Sequence, residues 1–246
     1  MIIIKLNAID STNSYLKKQA ENTALESYTV VVAEHQYSGR GQMGTSWVSE
    51  SGKNLTFSTL INLKNFKIED QFYLSMVVSL SVLQVLNKRI NIQLTVKWPN
   101  DILAEKDKVA GILIENVLSG KFIKKSVIGI GLNVNQKEFP KDIGNVTSLK
   151  NISKMSFDKD ELMRDIVTTI KKYINYIEDA KFEELKKLYI ASLYKFNKPT
   201  MFEDVSGSVF LGKIVDVFED GRLVIELENE TTCKFNLKEI KFASRK

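Results

Sequence analysis

The sequence predicts an α+β fold, with helices packed on one sheet and a small antiparallel barrel after it. Three observations lead there. Runs rich in β-branched residues, such as 29–33 and 55–61, alternate with helical stretches. Residues 69–88 are apolar nearly all round, which marks a helix buried against something broad. After Asn197-Lys198-Pro199 the chain turns to short strands joined by turn residues.

The elements follow in order. Residues 2–6 read as a strand. Asp10-Ser11-Thr12-Asn13 is a run of helix-capping residues, and 15–21 continues as a short helix. Glycines dominate 39–44, which makes that stretch a loop. Segments 95–97, 109–117 and 126–133 complete the sheet, and 109–117 carries charge only at Glu115. Residues 158–194 have helical spacing with lysine and glutamate faces, as one or two helices with a break near Asp179-Ala180. In the last part, 212–218 and 222–227 flank Glu219-Asp220-Gly221, a hairpin turn, and 231–235 pairs next. The expected division is 1–196 for the larger domain of sheet and helices and 197–246 for the barrel.

Composition narrows the functions. The chain has 246 residues, 43% hydrophobic and 26% charged, as in an ordinary soluble globular protein. The net charge of +5 suits anionic partners. From Asn197 onward there are 8 Lys and Arg against 9 Asp and Glu, and the preceding part holds the other 27 against 21. The barrel is therefore not the basic part, which argues against a nucleic-acid-binding module there. One cysteine, Cys233, and one histidine, His35, rule out an intrachain disulfide and a Cys/His zinc cluster. A Ser-His-Asp or Cys-His mechanism would have to use His35. Residues 1–6 do not form a signal peptide, and 72–86 is too short and interrupted to span a bilayer. A cytoplasmic protein with no membrane partner is expected. No helix-turn-helix precedes the first strand, so no repressor role and no nucleic-acid partner is expected.

Gly39-Arg40-Gly41-Gln42-Met43-Gly44 matches the G-x-G-x-x-G dinucleotide pattern literally. That pattern needs a helix opening at its third glycine and an acid about twenty positions on. Here the chain continues Thr45-Ser46-Trp47, which starts no helix, and Lys64 stands where the acid should be. A glycine loop still lets backbone N–H groups approach an anion, with Arg40 as a fork for carboxylate or phosphate. Trp47 offers a flat apolar face for a base.

Lys97-Trp98-Pro99-Asn100-Asp101, followed by Lys108-Val109-Ala110-Gly111-Ile112-Leu113, is the most informative stretch. It sets two lysines, an amide and a carboxylate beside a proline that fixes the chain's path, then an apolar strand. This stretch resembles the ATP-binding core of the biotin protein ligase family, with its K-W-P-N-D and K-x-A-G-I-L. Other segments agree in order. Ser11-Thr12-Asn13 resembles the S-T-N of its biotin pocket. Gln36, Gly39-Arg40-Gly41 and Trp47 resemble its Q-x-x-G-R-G loop with the adenine-side tryptophan. Gly129-Ile130-Gly131-Leu132-Asn133 resembles its G-x-G-x-N near the nucleotide. The resemblance covers essentially the whole chain.

The resemblance implies a mixed, largely antiparallel sheet flanked by helices, related to class II aminoacyl-tRNA synthetases, with an SH3-like C-terminal barrel. It implies ATP and biotin as substrates with Mg²⁺, and a biotin carboxyl carrier domain of a carboxylase as acceptor. It also implies a monomer or homodimer. Lys108 and Arg40 are the implied catalytic residues. Ser11, Thr12, Asn13, Gln36, Gly39, Gly41, Gln42 and Gly111 join them around biotin. Trp47, Asn100, Asp101 and Asn133 join them around ATP. No direct protein ligation of a metal is expected; Asp101 acts through water. Many members carry a second arginine where Gln42 stands, which puts retention of the intermediate in doubt. The nearest rival is a lipoate or octanoate ligase of the same fold, whose arginine-plus-glycine-triplet motif is missing here.

Overall fold

The computed structural model describes residues 1–243. The first part runs β1 (Ile3–Ile9), α1 (Thr12–Asn22), β2 (Val30–Gln36), β3 (Leu55–Lys67), α2 (Phe72–Asn87), β4 (Leu94–Lys97), β5 (Asp101–Ala104), β6 (Asp107–Ser119), β7 (Phe122–Leu132), α3 (Leu149–Ser153), α4 (Lys159–Glu178) and α5 (Phe182–Ala191). Seven strands form one sheet in the order β1-β2-β3-β7-β6-β5-β4. β1 and β2 are parallel and every other pairing is antiparallel, so the sheet is mixed and largely antiparallel as expected.

The two faces of this sheet differ. α2, α4 and α5 cover one face, where Phe57, Ile112, Ile128 and Ile130 join a core that takes in almost all of α2. That explains why α2 is apolar all round. On the other face the buried apolar residues of α1 are Leu16 and Ala20, against Val31, Leu60 and Val127. An eleven-residue helix cannot cover seven strands, so the rest of this face stays open.

Ser11 caps α1 by accepting from the Ser14 N–H at 3.4 Å, as the run of capping residues foretold. The helical break falls at Asp179 and Ala180, where Ala180 takes a positive φ of 54° between α4 and α5. β5 and α3 were not expected: β5 has four residues and directly follows the Trp98-Pro99-Asn100 turn.

The C-terminal unit has β8 (Thr200–Asp204), β9 (Val209–Val217), β10 (Leu223–Leu227), β11 (Thr232–Phe235) and β12 (Ile240–Phe242). They form a five-stranded antiparallel sheet in the order β11-β10-β9-β8-β12, consistent with an SH3-like barrel. Cys233, on β11, is half-buried. The unit is fastened to the first part by the hairpin tip between β9 and β10. Trp98 Nε1 donates to the Gly221 carbonyl at 2.9 Å. Gly221 has a φ of +91° and leaves no room for a side chain, since a Cβ there would lie 2.6 Å from Phe72 Cδ2. Phe202, Val217, Leu223 and Ile225 belong to the same apolar core as α2.

Candidate active site

The open part of the α1 face is a cavity of about 1020 Å³. All of the expected site residues except Gly39 and Asn133 line it. Its floor is made by glycines. Gly111 on β6 pairs with Gly131 on β7, and Leu113 pairs with Gly129. The space a side chain would take is filled by functional groups. Trp47 lies where a Cβ on Gly131 would project, and Asn13 where one on Gly129 would. At Gly111 a Cβ would meet Lys108 Nζ and Trp47 Cζ3, each at 3.1 Å.

A bulge aims Lys108 onto this floor. Ile102 pairs with Ala110 but Leu103 pairs with Lys108, so Val109 is an extra residue in β6. Val109 is fully buried in the core. Lys108 thereby shares the open face with Gly111 rather than pointing into the α2 core. Its Nζ lies 2.6 Å from Asp101 Oδ1 on the neighbouring strand and 5.5 Å from the Trp47 ring centroid. Asn100 braces the same strand, donating from Nδ2 to the Ile112 carbonyl at 2.8 Å while its own carbonyl accepts from Ile112 N at 3.0 Å.

The start of α1 makes the opposite wall. Thr12 donates from its backbone N and from Oγ1 to Gln36 Oε1, at 2.7 and 3.0 Å. Ser58 Oγ lies 2.8 Å from Thr12 Oγ1 and 2.5 Å from Asn13 Oδ1. Asn13 Nδ2 donates to Glu115 Oε2 at 3.0 Å and to the Leu113 carbonyl at 3.3 Å.

The glycine loop folds back on itself over the cavity. Trp47 N donates to the Gly39 carbonyl at 2.9 Å, and Gly41 N to the Thr45 carbonyl at 2.7 Å. Side chains at Gly39 and Gly41 would collide with Trp47 O and Thr45 Oγ1, so both glycines serve the close approach of the two arms. Arg40 Nη2 donates to Glu115 Oε1 at 3.0 Å, and Nη1 to Ser14 Oγ at 3.1 Å. Met43, at the turn, has φ 49° and ψ 44°. Its carbonyl accepts from Lys238 Nζ of the C-terminal unit at 2.6 Å.

Three placements differ in kind from the rest. Gly39 shapes the loop from behind the cavity wall. Asn133 is buried beside the cavity, donating from Nδ2 to the Thr147 carbonyl at 3.0 Å. His35 lies outside the cavity, with a buried Nδ1 that has no partner among the described residues. The sequence also left residues unassigned. Glu115 and Ser58 hold the polar wall together, and Lys238, Lys241 and Phe242 close the far side. A lone charge in an apolar strand was the available signal for Glu115. Nothing local marks the residues of the C-terminal unit.

The arrangement is that of a ligand-binding α+β enzyme core, with cations over a glycine floor and a small β-unit at the cavity mouth. The chain belongs to the Biotin/lipoate A/B protein ligase family, whose pattern its residues 6–133 match. It is similar to the biotin protein ligase of Aquifex aeolicus solved with biotin and ATP, with a TM-score of 0.81 and 29% identity over 98% of this chain and 99% of that one. The bifunctional ligase/repressor BirA of Bacillus spizizenii is 29% identical over 92% of this chain and 70% of its own length. The biotin–[acetyl-CoA-carboxylase] ligase of Mycobacterium tuberculosis is 28% identical over 90% of this chain and 82% of its own. Among the described residues no helix is long and apolar enough to cross a membrane.

Proposed function

We infer that this chain is a biotin protein ligase. It uses ATP to join biotin to a protein, releasing AMP and pyrophosphate. In the first step a biotin carboxylate oxygen attacks the α-phosphorus of ATP, the bond to the bridging oxygen breaks, and pyrophosphate leaves. In the second, a lysine amine of the acceptor attacks the acyl carbon of biotinyl-5′-AMP. The amide forms, AMP departs with the bond electrons, and the amine gives up a proton. A biotin carboxyl carrier domain of a carboxylase is the acceptor we propose. The observation that carries this reading is Lys108, turned by the Val109 bulge onto the glycine floor between Trp47 and Asp101.

Neither step needs an enzyme nucleophile, which agrees with His35 lying outside the cavity. The barrier is the approach of two anions, and fixed cations and N–H donors lower it. We assign Lys108 to the carboxylate and α-phosphate as the anhydride forms. Arg40, with the backbone of Gly39, Gly41 and Gln42, closes over the intermediate. Ser11, Thr12, Asn13 and Gln36 face the ureido ring over the Gly129 side of the floor. Their network leaves an analogue without that ring facing unpaired polar groups, a strong basis for discrimination. Trp47 lies against adenine, Asn100 and Asp101 hold the nucleotide side, and Asn133 supports it from behind.

Mg²⁺ fits as a passenger on ATP. No cluster of three or more His, Cys, Asp or Glu that could hold an ion occurs among the described residues. Phosphate oxygens and water would hold the ion, with Asp101 reaching it through water, and it would neutralise phosphate charge.

The family name covers lipoate as well as biotin. Pyrophosphate exchange into ATP, run with biotin, lipoate, octanoate or no acid, separates the two. Exchange that requires biotin is expected. Exchange driven by lipoate or octanoate would move the chain to the sister activity, and none with any acid would overturn the reading.

A further inference from the structure

Glu115 is the only charged residue in the part of β6 that follows Lys108, and it does not line the cavity. Its side chain is 16% exposed, and its two oxygens have different partners. Oε1 accepts from Arg40 Nη2 and Oε2 from Asn13 Nδ2, each at 3.0 Å. A carboxylate this far inside a sheet face is costly to desolvate unless it is paired. Here both pairings lead to the site. Arg40 is held at a second point by Ser14, so its guanidinium is fixed from β6 and from α1 at once. These bonds use two of the five guanidinium N–H groups and leave the others for ligand oxygens. Through Asn13 the same carboxylate reaches Ser58, Thr12 and Gln36. One acid thus ties the loop arginine to the wall on the other side of the floor.

We propose that Glu115 is a positioning residue for adenylate formation, aiming the Arg40 guanidinium at the anionic oxygens of the reacting pair. The proposal rests on the biotin-ligase reading. An acceptor needed only to satisfy Asn13 could be neutral. A carboxylate adds a charge-assisted bond to an arginine that sits on a glycine loop and is otherwise 48% exposed. The chain atoms on either side of Arg40 are glycines, so without Glu115 the guanidinium has many orientations open to it.

The test is Glu115→Gln in two backgrounds. In the wild-type chain, biotin-dependent pyrophosphate exchange should lose about 10- to 100-fold in kcat, the effect of a misaimed group, with KM for biotin little changed. In an Arg40→Ala background the same substitution should cost less than about twofold, because residues acting through one another are not additive. An equal loss in both backgrounds, or a loss that follows a lowered Tm, would overturn the proposal. A second measurement does not depend on activity. The ¹⁵N guanidinium signal assigned to Arg40 should show restricted rotation in the wild-type chain and free rotation in Glu115→Gln. Free rotation in both would also overturn it. Wild-type protein without biotin-dependent exchange would instead sink the biotin-ligase reading, and the rotation measurement would then decide whether Glu115 holds Arg40.

Discussion

Lys108 and Asp101 meet across neighbouring strands, with Nζ and Oδ1 2.6 Å apart. The pair fixes the ammonium on the open face of the sheet, over Gly111. Lys108→Ala should therefore lower pyrophosphate exchange by at least about 10²- to 10³-fold, the scale of removing one preorganised donor. Asp101→Asn keeps the shape and should cost about tenfold or less, since the lysine remains but is less well held. Unchanged circular dichroism for both variants would show that the sheet is intact. Near-wild-type exchange by Lys108→Ala would remove the basis for its role.

Gly131 faces the Trp47 ring so closely that a methyl group there must displace it. Gly131→Ala should raise KM for ATP about tenfold or more and alter Trp47 emission, while the far face of the sheet stays packed. Trp47→Phe supplies the emission reference. An Ala variant with unchanged emission and KM would mean that Trp47 does not depend on this glycine.

Gln42 stands in the loop wall beside Arg40, and its carbonyl accepts from Thr45 N at 3.1 Å and from Thr45 Oγ1 at 2.8 Å. The turn is thus held by backbone, leaving the side chain free to change. Gln42→Arg adds a second cation at the cavity edge. Release of free biotinyl-5′-AMP, followed by chromatography of the filtrate, should slow by about tenfold, worth one charge-assisted hydrogen bond. Release at the wild-type rate would show that this position does not control retention.

Asp158 caps α4 by accepting from the Glu161 and Asp160 N–H groups, and those bonds hold its carboxyl below the ordinary carboxylate range. A depressed folded-state pKa means that the stabilisation is present above the unfolded-state pKa and is lost as pH falls through the folded-state one. Asp158→Ala should melt below wild type at pH 7, and the two melting curves should converge as pH falls below about 4. A gap that persists at low pH would assign the effect to something other than the charge of the carboxylate.

Local chemistry made much of this legible in the sequence. Ser11 and its neighbours mark the start of α1, and Asp179-Ala180 marks the break between two helices. Lys97 to Leu113 hold together because β4, β5 and β6 are consecutive neighbours in the sheet. What stayed hidden depends on register or on distance along the chain. The Val109 bulge has no residue signature, yet it decides which way Lys108 points. β5 is short enough to pass for the end of a turn. Asn133 sits in a motif that resembles a nucleotide contact, and nothing in that motif foretells that its Nδ2 donates to the Thr147 carbonyl. The bond from Lys238 to Met43 joins segments with no pattern in common.

The hairpin tip at Gly221 bears on how such a chain can be dissected. Composition suggests a cut at residue 196, and the two units on either side of it share packing. A fragment ending at that point would keep the Trp98 indole and lose the carbonyl it donates to. It would also uncover Phe72 and the α2 residues that share their core with Phe202 and Val217. The small unit is in this sense part of the hydrophobic interior of the large one. Swapping it between relatives would transplant half of a packing problem, and each graft would succeed or fail on the fit of a single turn against one aromatic ring.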